Sequence, residues 1–106
     1  MLIDKFFAEL FGTFVFLAII VTIVETHSIY DSAQAWLKIP LVLTASILAF
    51  GFISGANFNP AVSLLFYMDK RLTLLELVTY IIAQCLGAIL AYAYYVYTKQ
   101  YLNRQK

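Results

Sequence analysis

The sequence predicts an all-α membrane protein with three transmembrane helices and one shorter helix that follows a re-entrant loop. Three observations carry that prediction. Apolar residues make up 63% of the 106-residue chain and charged residues only 12%, outside the range of a soluble domain of this size. Apolar stretches at about 6–24, 36–53 and 74–97 approach the roughly 20 residues that a helix needs to cross about 30 Å of hydrocarbon. A polar, turn-prone break, Ser54-Gly55-Ala56-Asn57-Phe58-Asn59-Pro60-Ala61-Val62, separates the second stretch from an apolar run too short to span. The chain reads as a single unit, 1–106, with the loop and short helix at 54–67.

The first span follows a short charged lead and closes at Glu25-Thr26-His27-Ser28. Its apolar run is longer than a signal-peptide core and no small-x-small cleavage site follows, so it is expected to be retained. Glu9 lies inside it. A carboxyl there is costly unless it faces the protein interior and finds partners, which marks Glu9 as architectural or functional. Ala8 and Gly12, four apart, offer a close-packing face. His27 has no cysteine or second histidine nearby and reads as a loop residue, not a metal ligand. Tyr30 and Trp36 flank the second span, where amphipathic rings prefer the membrane interface.

The second span is expected to place Pro40 in its first turn, and Gly51 and Gly55 carry a small-residue spacing into the loop. Asn59 is a good N-cap, because its side-chain oxygen can accept from free backbone N–H groups, and Pro60 suits the first helical position. The run from Pro60 to Tyr67 then reads as a half-helix. Its N-terminus carries partial positive charge and unpaired donors, and irregular backbone persists at membrane depth only beside protein or water. Met68-Asp69-Lys70-Arg71 forms a charged turn back to water.

In the third span Thr73 and Glu76 are set as a capping box, Ala83, Gly87 and Ala91 recur every four residues, and Gln84 is a buried polar group. Cys85 is the lone cysteine, so no intrachain disulfide is possible, and it reads as a small packing residue. Tyr92, Tyr94, Tyr95, Tyr97 and Tyr101, with basic Lys99, Arg104 and Lys106, read as an aromatic belt and basic tail. A net charge of +1 leaves no electrostatic footprint for nucleic acid. With no nucleophile and base, paired carboxylates or metal cluster, neither an enzyme nor a cofactor is expected.

The nine residues 54–62 resemble the first signature loop of the aquaporin and glycerol-facilitator family, S-G-A-x-x-N-P-A-V. Glu9-x-x-Gly12-Thr13 resembles that family's first-helix motif. Ile82-Ala83-Gln84-Cys85-Leu86-Gly87-Ala88 resembles its third helix, where Ala-Gln-x-x-Gly-Ala packs against the loop. The resemblance runs from Glu9 to about Ala91 and covers one repeat of a two-repeat family. It implies that Glu9, with Gln84, braces the loop, and that Gly55, Ala56, Asn57, Asn59, Pro60, Ala61 and Val62 line a pore. Gly12, Gly51, Ala83, Gly87 and Ala91 would serve helix packing.

In that family two inverted repeats bring two half-helices end to end at the midplane. The charge distribution suggests how one repeat can suffice. Three spans place Lys5, Lys70 and Arg71 on one side and Lys38, Lys99, Arg104 and Lys106 on the other. Orientation normally follows a clear Lys/Arg excess, so three against four predicts insertion both ways. The expectation is an antiparallel homodimer per pore, with four dimers (eight chains) if the family's tetrameric habit holds, in the cell (inner) membrane. The implied cargo is water and small neutral solutes such as glycerol. The family's filter arginine follows the second Asn-Pro-Ala; the equivalent position here is Val62, and Asn57 stands where many relatives have histidine, implying a looser filter. Two other readings are a half-pore subunit that needs a different partner chain, and a small helix bundle that permeabilises membranes without selectivity.

Overall fold

The structure is a computed structural model that describes residues 1–26 and 33–105, with side chains at 26 and 33–36 excepted. His27, Tyr30, the Trp36 side chain and Lys106 lie outside the described residues. Four helices follow one another: α1 (Leu2–Thr26), α2 (Ala33–Ser54), α3 (Pro60–Met68) and α4 (Leu74–Arg104). No strand occurs among the described residues. α1, α2 and α4 are long and apolar enough to cross a bilayer, so the chain is an all-α membrane protein.

The helix ends follow local chemistry. α1 starts at Leu2 rather than Phe6, with Asp4 in its first turn, where negative charge favours the helix dipole. Asn59 caps α3 with its Oδ1 accepting from Ala61 N at 2.8 Å, and Pro60 takes the first helical position. α3 stops in a Schellman motif: Lys70 adopts φ +62°, Lys70 N donates to Tyr67 O at 3.0 Å and Arg71 N to Phe66 O at 2.8 Å. Thr73 and Glu76 form the capping box that starts α4. No breaker stands between Tyr97 and Arg104, so α4 runs on to 31 residues, about 46 Å at 1.5 Å per residue. That exceeds the hydrocarbon thickness by several turns.

One expectation at the second span is corrected. Pro40 lies inside α2, because the helix begins upstream at Ala33. Its carbonyl accepts from the Thr44 hydroxyl at 2.9 Å.

α1 is the central helix, packed on α4 along one side and on α2 along another, while α3 packs on α4. α1 and α4 run parallel and are paired at both ends. Lys5 Nζ meets Glu76 Oε2 at 2.8 Å at one end, and Lys99 Nζ meets Glu25 Oε1 at 2.8 Å at the other. Tyr95 donates to Glu25 Oε2 at 2.9 Å and so belongs to this clamp, whereas Tyr92, Tyr94, Tyr97 and Tyr101 are exposed. Between the clamps the backbones approach closely at Gly87, where an added Cβ would sit 2.6 Å from Leu10 O and 3.0 Å from Thr13 Cβ. Ala83 and Ala91 are buried on the same face of α4. Only 6% of the apolar window of α2 is buried, against 39% and 33% for α1 and α4, which leaves α2 facing lipid or another chain.

Gly87→Val is therefore expected to push α1 from α4 and destabilise the fold by about 1–3 kcal/mol, since a rotamer change cannot move a backbone carbonyl. Gly51→Ala is the control, because its Cβ would make only ordinary contacts at 3.5 and 3.7 Å. Chemical unfolding of both variants in detergent checks the contrast.

Candidate functional site

The break between α2 and α3 is held in a backbone shape that L residues avoid. Gly55, Ala56 and Phe58 take φ of +85°, +53° and +53°. Only glycine adopts such angles freely, and each of the other two costs roughly 1–2 kcal/mol. Mixing left- and right-handed residues turns successive N–H groups to one side, forming a concave nest for an anion. Here the anion is a side chain of α1.

Glu9 is fully buried. Its Oε1 accepts from Ser54 Oγ at 2.7 Å and Asn57 N at 2.9 Å. Its Oε2 accepts from Phe58 N at 2.8 Å and Gln84 Nε2 at 3.0 Å. An ionised carboxylate takes all four donors and leaves no hydrogen without an acceptor. Hydrogen bonds to a charged group are each worth about 1.5–3 kcal/mol, so the set offsets the strain at Ala56 and Phe58.

A second layer ties the nest to the helices. Ser54 Oγ accepts from Ala56 N at 3.1 Å, and Tyr80 donates to Ser54 O at 2.6 Å, satisfying a carbonyl at the end of α2. Ser63 Oγ, fully buried on α3, accepts from Asn57 Nδ2 at 3.0 Å and Gln84 Nε2 at 2.9 Å. Phe58 is buried in the notch left by Gly12, where an added Cβ would fall 2.1 Å from the ring, and meets Phe50 edge-on at 6.4 Å. All four helices thus converge on residues 54–58.

This arrangement divides the residues expected to line a pore. Gly55, Asn59, Pro60 and Ala61 are exposed on the chain and Val62 is half-buried. Ala56 and Asn57 are buried, with the Asn57 amide turned back to Ser63. Asn59 Oδ1 is occupied by Ala61 N, while its Nδ2 has no hydrogen-bond partner among the described residues. Glu9 and Gln84 meet at the loop; Ala83, Gly87 and Ala91 lie buried along α4; Gly12 receives Phe58; and Gly51 is half-buried in ordinary contact. Sequence reasoning did not single out Ser63 or Tyr80, and it named Phe58 and Thr13 only as members of motifs, with no role of their own. Tyr80 carried a usable signal, four residues before Gln84 and on the same helix face. No cluster of His, Cys, Asp and Glu able to hold a metal occurs among the described residues.

The major intrinsic protein family model matches residues 1–106. The chain belongs to that family. Among curated proteins it is 40% identical over 91 residues to glycerol uptake facilitator protein-like 6 of Lactiplantibacillus plantarum, covering 84% of this chain and 41% of that protein. It is 36% identical over 96 residues to nodulin-26 of Glycine max, covering 84% and 34%. Against aquaporin-1 of Bos taurus the identity is 38% over 68 residues, covering 64% and 25%. The chain thus spans less than half the length of these relatives. No solved structure gives a significant match. Major intrinsic proteins are integral membrane channels and not enzymes, in keeping with the three apolar helices.

Glu9→Gln places a donor against a nest of donors at nearly unchanged volume. It is expected to cost about 1–3 kcal/mol of stability and to speed hydrogen exchange at the Asn57 and Phe58 amides, with the far end of α4 unaffected. Unchanged protection at those two amides would remove Glu9 from this role. Gly12→Ala is expected to expel the Phe58 ring, read as loss of Phe58 burial by side-chain NMR.

Proposed function

We propose that the chain is one half of a passive membrane pore for water and small neutral solutes, completed by a second copy inserted upside down. One observation carries the reading: the Asn59 cap is presented outward with an amide donor that has no partner among the described residues. α3 has nine residues, so its N-cap lies about 13 Å from its C-terminal end. With Asp69-Lys70-Arg71 at the water boundary, the cap falls near the middle of a layer about 30 Å thick. A donor facing hydrocarbon there costs several kcal/mol, whereas a donor facing water costs nothing comparable.

A two-fold axis in the membrane plane brings two Asn59 caps and two helix N-termini face to face. Each amide N–H₂ donates to a water oxygen at the centre, because each Oδ1 is already held by Ala61 N. The two positive helix ends raise the barrier to cations and interrupt the hydrogen-bonded file that protons need, as is general for aquaporin-type pores. The nest directs N–H groups toward Glu9, so the carbonyls of Gly55, Ala56 and Asn57 are left to face the lumen as acceptors. Transport is driven by the gradient alone.

Val62 would stand on both sides of such a dimer, with no fixed arginine, which widens selectivity toward glycerol-sized solutes. That one relative is named a glycerol uptake facilitator supports this. Grouping of four dimers would follow the family's assembly. The near-even division of Lys and Arg between the two faces, three against four, supports insertion in both orientations.

Proteoliposomes of the pure protein are expected to pass water and glycerol by osmotic light scattering while excluding sucrose. Asn59→Asp, a charge at the midplane, is expected to lower flux at least about tenfold. Leakage of sucrose, or indifference to Asn59→Asp, would replace the pore with unselective permeabilisation. C-terminal reporters are expected on both sides of the membrane. Lys70→Asn, which leaves two against four, is expected to collapse them to one side and abolish flux, and co-expression with the oppositely biased Lys38→Gln/Arg104→Gln/Lys106→Gln chain, three against one, to restore it. Flux that appears only with a co-purifying unlike subunit would assign the opposing half to a different protein.

A further inference from the structure

Thr22, Thr44, Thr79 and Thr98 each donate their hydroxyl to the carbonyl four residues earlier, at 2.7–2.9 Å. That is the ordinary way a helix accommodates threonine. Thr13 does not, although only 2% of its surface is exposed, and its Oγ1 has no partner among the described residues. A second orphan atom lies in the same seam between α1 and α4. Gln84 is 2% exposed; its Nε2 serves Glu9 and Ser63, but its Oε1 has no partner among the described residues.

The helix register brings the two together. Glu9, one turn before Thr13 on α1, accepts from Gln84 at 3.0 Å. One turn on, the Cβ position of Gly87 lies 3.0 Å from Thr13 Cβ. The orphans are chemically complementary, since Thr13 has a hydrogen to give and Gln84 Oε1 can only accept. They do not bond to each other. A group that bridges them must accept from one and donate to the other, and must be small enough for a seam between packed helices. Water meets all three conditions, and buried waters gather at such otherwise unsatisfied polar atoms.

We propose that a single structural water is bound between Thr13 Oγ and Gln84 Oε1, accepting from the first and donating to the second. Its consequence falls on the loop. The two ends of the Gln84 amide are nearly alike in shape but opposite in hydrogen-bonding character, Oε1 accepting and Nε2 donating. Water on Oε1 fixes that end away from Glu9 and keeps Nε2 on the carboxylate and on Ser63. Without it Oε1 is buried with no donor, and the amide is held only by its Nε2 bonds to Glu9 and Ser63, so the Gln84 side of the nest is less firmly fixed. Thr13 is thus a positioning residue for Gln84, and the site lies within one chain, independent of any dimer.

The test compares purified wild-type protein with Thr13→Val and Thr13→Ser in detergent. Three readouts are the unfolding midpoint, hydrogen exchange at Asn57 and Phe58, and water-to-Gln84 side-chain transfer in solid-state NMR. Valine keeps the shape and removes the donor. It is expected to lower the midpoint by several degrees, speed exchange at both amides and abolish the water signal, while serine behaves as wild type. A dry hydroxyl gives the opposite sign, because deleting an unsatisfied buried group relieves its desolvation. A midpoint for Thr13→Val equal to or above wild type, or a wild-type protein with no water signal at Gln84, overturns the proposal.

Discussion

The structure depends on one buried carboxylate meeting a backbone that points its donors inward. Residues 54–58 fold into a shape that isolated L residues disfavour, and Glu9 supplies the acceptor that makes it stable. Neither half is viable alone. A bare carboxylate inside a bilayer is expensive, and so is a set of backbone N–H groups with no partner. Together they cancel, and the low dielectric around them strengthens the bonds that remain.

This pairing also sorts the loop into two faces. Donors go inward to Glu9, Asn57 goes inward to Ser63, and Phe58 goes inward to the notch at Gly12. What is left outside is Gly55, the Asn59 cap and Pro60-Ala61 at the start of α3. The function proposed for the chain uses that remainder: a short helix whose polar end is presented by a rigid cradle. The ion pairs at the two ends of α1 and α4, with the close approach at Gly87, hold the cradle's two sides in register.

Much of this was legible in the sequence because the signals are local. Composition and apolar length mark the three spans, and Asn59-Pro60 and Thr73-x-x-Glu76 mark helix starts through capping chemistry that needs no tertiary partner. Glu9 and Gln84 stood out because polar groups in apolar spans need a reason. The ends of α1, α2 and α4 were less legible, since hydropathy reports where lipid begins and not where a helix stops. Pro40 misled for the same reason: a proline suits a first turn, but where the first turn lies depends on residues upstream of the apolar stretch.

The sequence alone determined the class of protein, the three crossings, the capped short helix and the presence of a buried carboxylate, because period, length and capping are properties of neighbouring residues. Only the tertiary structure decided which groups that carboxylate accepts from, that Gly12 exists for Phe58, that Asn57 turns inward while Asn59 turns outward, and that Tyr80 and Ser63 complete the network. These contacts join residues as many as 75 positions apart, as between Glu9 and Gln84. They arise from the register of α1 against α4 and from the handedness of a few loop residues, which no local pattern encodes.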